Sequence, residues 1–165
     1  MLLTIAALST LLSGCQLGPV PERGATMLAE RINKGDLAGV EAALAAGANP
    51  NEKDDRGNPV LVLATATNRY QMANLLLDKG ADFYATDDFG LLPGTLASQS
   101  RLLPDSVEGK ALATFIAALK LRGHPWPPPG PKEVQRLKAT GHWPPPSDRR
   151  ALMPPAARVC PRPRA

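Results

Sequence analysis

The chain has 165 residues, the length of one ordinary domain, and it carries a formal net charge of +4 with only seven aromatic residues. Residues 124–165 hold 12 of the 18 prolines and a net charge of +6, whereas residues 1–123 have a net charge of −2. The basic character therefore belongs to the C-terminal region and argues against a nucleic-acid-binding body, and two cysteines cannot build a disulfide framework or a four-ligand zinc site.

The first 15 residues combine an uncharged apolar run with a cysteine. Leu2–Leu12 is too short to span a bilayer, which needs about 20 residues, but it suits the core of a signal peptide. The run ends in Leu12-Ser13-Gly14-Cys15, which resembles the lipobox of bacterial lipoproteins. The resemblance implies cleavage of a signal peptide at residues 1–14, lipidation of Cys15 and stable membrane anchoring by acyl chains, followed by a linker at residues 15–20.

The location that this resemblance implies is the bacterial cell envelope. Gln16 follows the cysteine where Asp would indicate inner-membrane retention, so a periplasm-facing protein at the outer membrane is favoured. Met1–Leu12 contains no Lys or Arg, which departs from the usual positively charged start of such signals. The alternatives are a plain secretory signal and a buried helix with an incidental cysteine.

The body of the chain repeats with an offset of 33 residues. Gly47-Ala48-Asn49 recurs as Gly80-Ala81-Asp82, and Asp54-Asp55-Arg56-Gly57 recurs as Asp87-Asp88-Phe89-Gly90. These positions resemble the ankyrin repeat, although its Thr-Pro-Leu-His tetrapeptide is degraded, as in Pro59-Val60-Leu61-Val62. The resemblance implies an all-α solenoid of about three helix-turn-helix repeats, in which each repeat buries its apolar face against its neighbours.

The predicted repeats span residues 21–53, 54–86 and 87–123. The third is about ten residues too long, and the excess falls near Ser98–Lys110, between its two helices. The aspartate-rich segments are predicted to form turns that project as fingers, and helical spacing marks a buried apolar face. The core residues predicted from that spacing are Met72, Leu75, Leu76, Phe115, Ile116 and Leu119.

The C-terminal extension is proline-rich. Within residues 124–146, Pro131–Thr140 is predicted to form a short helix that must dock to be stable, because isolated helices of that length are marginal. One hypothesis is that the segment caps the open end of the array. In that hypothesis the covering and covered side chains are Trp126, Val134, Leu137 and Trp143 over Phe115, Ile116 and Leu119.

The last 19 residues have a different composition. Residues 147–165 carry five arginines and little apolar content, so we expect a disordered basic tail. The tail is either simply solvated or an arm that touches anionic lipid or glycan. Cys160 lies in it and would be left unpaired by lipidation of Cys15, free to join another chain or to remain inert.

No catalytic motif appears in the sequence. His124 and His142 lie in proline-rich segments without metal-ligand spacing, and no nucleophile elbow or phosphate-binding glycine loop is present. We therefore expect neither an enzyme nor a resident cofactor, metal or small-molecule substrate. The paired aspartates of the fingers are interpreted as turn formers, with an acidic patch for a basic partner or a cation site as alternatives.

The ankyrin resemblance implies a protein-binding surface made of finger tips and inner helices. The matching positions are Arg23, Asn33, Lys34, Asp55, Arg56, Asn58, Ala66, Thr67, Asp88, Phe89 and Leu91. Phe89 is the favoured hot spot, since an aromatic finger tip has little structural purpose; the alternative is that Phe89 packs on Ser98–Lys110.

The predicted function is a lipid-anchored protein–protein interaction module. Its partner is an unidentified protein. One alternative is an immunity or inhibitor lipoprotein with a single tight partner, such as a periplasm-directed toxin or enzyme. Another is a structural role in the envelope through the basic tail.

Overall fold

A computed structural model describes residues 25–144, and in this range the protein is all-α, with seven helices, no strand and one isolated β-bridge between Lys53 and Pro59. The all-α prediction is therefore confirmed for these residues. The predicted signal peptide, Cys15, Arg23 and the basic tail with Cys160 lie outside the described residues. The helices are α1 (Ala25–Lys34), α2 (Leu37–Ala45), α3 (Val60–Ala66), α4 (Tyr70–Asp78), α5 (Pro93–Gln99), α6 (Val107–Leu121) and α7 (Pro131–Ala139).

The first six helices form three consecutive pairs. Contacts join α1 to α2, α3 to α4 and α5 to α6. Contacts also join α1 to α3 and α3 to α5 in one row, and α2 to α4 and α4 to α6 in the other. The pairs are therefore stacked in chain order, with a row of odd-numbered helices beside a row of even-numbered ones.

The second helix of each of the first two pairs ends in the same way. Gly47 and Gly80 have φ of 94° and 89°, a conformation that glycine adopts without steric cost. Just beyond them, the Ala48 N–H donates to the Ala43 carbonyl at 3.0 Å and the Ala81 N–H to the Leu76 carbonyl at 2.9 Å. The 33-residue offset of the sequence is thus an offset of backbone geometry as well.

The core runs through the whole stack. Of the residues expected there, Met72, Leu76, Phe115 and Leu119 are buried, while Leu75 and Ile116 are half-buried. The Phe115 ring packs on that of Tyr70 with centroids 5.8 Å apart, which joins the second and third pairs.

The excess residues of the third repeat have a structural use. They lie between the end of α5 and an α6 that is 15 residues long, against nine for α4. Glu108 of α6 accepts hydrogen bonds from the Tyr70 N–H at 2.6 Å and the Gln71 N–H at 3.2 Å. Because α4 lacks a capping side chain of its own, this carboxylate satisfies the open N–H groups at its start.

The proline-rich segment docks on the second half of the array. Helix α7 begins at the predicted Pro131 and buries Val134. The Thr95 hydroxyl donates to the Pro129 carbonyl at 3.1 Å, and the Trp143 indole N–H donates to the Tyr84 carbonyl at 3.3 Å.

The hydrogen bonds of this segment therefore reach residues 84–95, and not the α6 face that the capping hypothesis named. With α6 the segment makes one cation–π contact, in which Lys120 Nζ lies 4.9 Å from the centre of the Trp126 ring.

Candidate partner-binding surface

The first finger, residues 54–58, is a turn organised by the Asp54 carboxylate. That group accepts hydrogen bonds from the Arg56 N–H at 2.9 Å, the Asn58 N–H at 2.8 Å and the Asn58 side-chain amide at 3.0 Å. Gly57 has a φ of 83°, which the turn requires. The arrangement holds the exposed Asp55 and Arg56 at the tip.

The Asp54 carboxylate is stabilised in its charged form. Burial raises the pKa of this group, but the hydrogen bonds from Asn58 and Arg56 and the charge of Arg56 outweigh burial, so the pKa lies below its ordinary value. Asp54 is thus ionised and committed to its own turn, which leaves Asp55 as the carboxylate available at the tip.

The second finger, residues 87–91, repeats this construction. The Asp87 carboxylate accepts hydrogen bonds from the Phe89 N–H at 3.0 Å and the Leu91 N–H at 2.8 Å, and Gly90 has a φ of 80°. The Phe89 side chain is 72% exposed, so it does not pack against Ser98–Lys110. Its backbone carbonyl accepts a hydrogen bond from Gln135 of α7 at 2.9 Å.

A groove of about 630 Å³ lies between the first finger and the helices α1 and α3. We call it the helix groove, and its lining residues are Ala29, Glu30, Asn33, Lys34, Asp54, Asp55, Arg56 and Leu63. Four of the predicted partner-binding residues, Asn33, Lys34, Asp55 and Arg56, therefore meet in one concave site, although two come from α1 and two from the finger.

The other predicted residues lie around this groove or away from it. Ala66 and Thr67 are exposed at the end of α3, where the Thr67 hydroxyl bonds back to the Leu63 carbonyl at 2.9 Å. Asn58 is half-buried and its amide is bound to Asp54, so it supports the turn. Asp88 is exposed beside Phe89, and Leu91 is half-buried in the second finger.

The helix groove changes in polarity from one end to the other. On α1, Lys34 forms an ion pair with Glu30 at 2.6 Å, and the hydrogen bond and charge of Lys34 lower the pKa of Glu30. One period later, Leu63 stands in place of Glu30, and Ala66 stands in place of Asn33. A ligand in the groove would meet charged groups beside α1 and small or apolar groups beside α3.

The resemblance did not single out Ala29, Glu30, Asp54 or Leu63 as binding positions. A signal for two of them was present in the sequence. Glu30 lies one helical turn before Asn33 and Lys34, and Leu63 follows Glu30 by one 33-residue period.

Within residues 25–144, no helix is long and apolar enough to cross a membrane. Over the same range, no group of three or more His, Cys, Asp or Glu side chains is arranged to hold a metal ion.

No protein-family model matches this sequence. The chain is 39% identical over 72 residues to the potassium channel KOR1 of Oryza sativa subsp. japonica, a match covering 44% of this chain and 8% of the channel. It is 41% identical over 59 residues to an L-asparaginase of Dirofilaria immitis, which covers 36% of this chain and 10% of that protein. The chain thus spans a tenth or less of these relatives.

Proposed function

We propose that this protein is a membrane-anchored ankyrin-repeat lipoprotein of the bacterial envelope that captures a protein partner in the helix groove. The observation that carries the proposal is that Asn33, Lys34, Asp55 and Arg56, chosen from the sequence as contact positions, line a single groove. A concave site of this size with mixed polar and apolar walls suits the recognition of a protein segment.

The repeat assignment is supported by geometry that recurs every 33 residues. Both fingers use an aspartate carboxylate to bind the N–H groups two and four residues on. The Asn51 side chain accepts the Asp82 N–H at 2.7 Å and so ties the loop after the first pair to the loop after the second. Stacked units with such regular links are typical of a repeat solenoid.

The partial matches to other proteins are compatible with a shared repeat segment. Matches of 72 and 59 residues are close to two 33-residue periods. A potassium channel and an L-asparaginase do not share an activity by name, and the matched parts are small fractions of both. For these reasons we carry over neither activity, and we propose that the protein is not an enzyme.

The membrane anchor rests on Leu12-Ser13-Gly14-Cys15 alone. Acylation of Cys15 would place the array within about 30 Å of the membrane, because the ten residues from Cys15 to Ala25 reach at most about 3.5 Å each. A protein held there can capture a partner in the periplasm or at the membrane surface.

The test is site-specific photo-crosslinking in the membrane fraction of cells that produce the full-length protein. A photoreactive amino acid is placed at Asn33 or Arg56 in the helix groove and, in separate variants, at the exposed Glu41 of α2 or Lys110 of α6 as controls. We expect crosslinked partners from the groove positions only. Adding Phe89→Ala is expected to reduce the yield without moving the thermal midpoint, since that ring is largely exposed.

Equal crosslinking from the control positions would contradict the use of the groove. Membrane association that persists in Cys15→Ser would contradict the anchor. A single abundant partner would favour the immunity or inhibitor role over a general interaction module.

A further inference from the structure

A second groove runs along the loops that join the helix pairs. It consists of two adjoining cavities of about 290 and 320 Å³ that share Lys53, Pro59, Asp82 and Ala85. We call it the loop groove. One end is formed by the loop after α2, and the other end is formed by Lys138, Trp143 and Pro144 of the C-terminal segment.

The docked segment gives this groove a rigid aromatic wall. The Trp143 ring meets the Tyr84 ring edge to face at 5.4 Å, and its indole N–H is bound to the Tyr84 carbonyl. Tyr84 in turn stacks on the buried His124 at 5.3 Å. With Pro59 and Pro144 nearby, the walls are apolar and fixed in orientation, which favours an extended peptide over a flexible or bulky ligand.

The charge of the loop groove is positive. Lys53 and Lys138 are exposed, and neither forms an ion pair with any residue in the described range. The Lys138 ammonium donates to the Thr86 hydroxyl, which keeps it at the groove. The one carboxylate present, that of Asp82, accepts the Tyr84 N–H at 2.8 Å and so serves its own turn.

We propose that the loop groove binds an extended acidic segment of another protein, whose carboxylates meet Lys53 and Lys138 and whose apolar atoms lie on Trp143 and Pro59. Charge selects this occupant over the chain's own tail, because residues 145–165 carry five arginines and one acidic residue. The concave shape selects a peptide over a flat lipid surface. This site is separate from the helix groove and does not depend on it.

The proposal is tested with the full-length protein in detergent carrying Trp126→Phe, which leaves Trp143 as the only tryptophan. The probe is a blocked octapeptide of alternating glutamate and proline, and matched peptides carry serine or lysine instead of glutamate. We expect only the glutamate peptide to change the Trp143 emission in a saturable and salt-sensitive way. Lys53→Glu with Lys138→Glu should weaken binding by about tenfold or more, and Lys53→Met with Lys138→Met by less.

The matched control is Lys110→Glu with Lys132→Glu, which makes the same change of net charge away from the groove and should leave the affinity unchanged. Lys53→Arg with Lys138→Arg should retain binding. Equal binding of the serine peptide, or equal losses in the groove and control variants, overturns the proposal. Binding that appears only after deletion of residues 149–165 also overturns it, because the chain's own tail would then be the occupant.

Discussion

The two fingers share their backbone construction and differ in their surroundings. In each, an aspartate carboxylate binds two N–H groups of the turn and a glycine with a positive φ closes it. Around Gly57, a Cβ atom would meet nothing within 4 Å, whereas at Gly90 it would lie 2.9 Å from the Pro131 carbonyl oxygen. The first finger is therefore open, and the second is covered on one side by α7.

This difference separates local folding from function. The same turn chemistry folds both fingers, so the repeat alone does not determine which is available to a partner. The first finger borders the helix groove, whereas the second supplies its Phe89 carbonyl to Gln135 of α7 and leaves the ring outside. The C-terminal segment thus gives the two ends of a repetitive array different surfaces.

Removing the C-terminal segment should have the largest effect. Truncation after Gly123 removes the buried His124 and Val134, uncovers Tyr84 and opens the second finger. We expect the free energy of unfolding, measured with urea, to fall by about 3–5 kcal/mol, from one or two lost core side chains and the surface they cover. Truncation after Pro144 is the control and should change it little; an unchanged midpoint after the longer truncation would show that the segment does not stabilise the array.

The two finger glycines provide a matched pair with a smaller effect. Ala at either position adopts an unfavourable positive φ, which we expect to cost about 1 kcal/mol. Gly90→Ala must also move α7 away from the Pro131 contact, so we expect a loss of about 2–3 kcal/mol and faster proteolysis within residues 131–139. Equal losses for Gly57→Ala and Gly90→Ala in urea unfolding would mean that α7 does not press on the second finger.

The sequence was sufficient to predict elements whose cause is local. The aspartate at the start of each finger and the glycine three residues later determine the turn by hydrogen bonding and φ, and both recur after 33 residues. The start of α7 at Pro131 is equally local, since proline suits the first helical position. The contact residues of the helix groove came from the ankyrin resemblance and not from these local rules.

The docking position of the C-terminal segment could not be predicted in this way. The exposed apolar face of a last repeat suggested α6, but the segment lies against residues 84–95. What permits that contact is the missing side chain at Gly90, which lets the Pro131 backbone approach, together with a Tyr84 carbonyl that faces Trp143. Such complementarity between distant segments leaves no periodic signal in the sequence.

The smallest expected effect concerns acid and separates the two aspartates of the first finger. The folded pKa of Asp54 lies below its unfolded value, so the stabilisation that it gives is complete above the unfolded pKa and is lost as the pH falls through the folded one. Asp54→Asn should therefore cost about 1 kcal/mol at pH 7, and this difference from the wild type should shrink below about pH 4. Urea unfolding between pH 7 and pH 3 measures it, with Asp55→Asn as the control, because Asp55 is exposed at the tip and takes no part in the hydrogen bonds of the turn. A gap between Asp54→Asn and the wild type that stays constant down to pH 3 would show that the Asp54 carboxylate does not hold the turn through its charge.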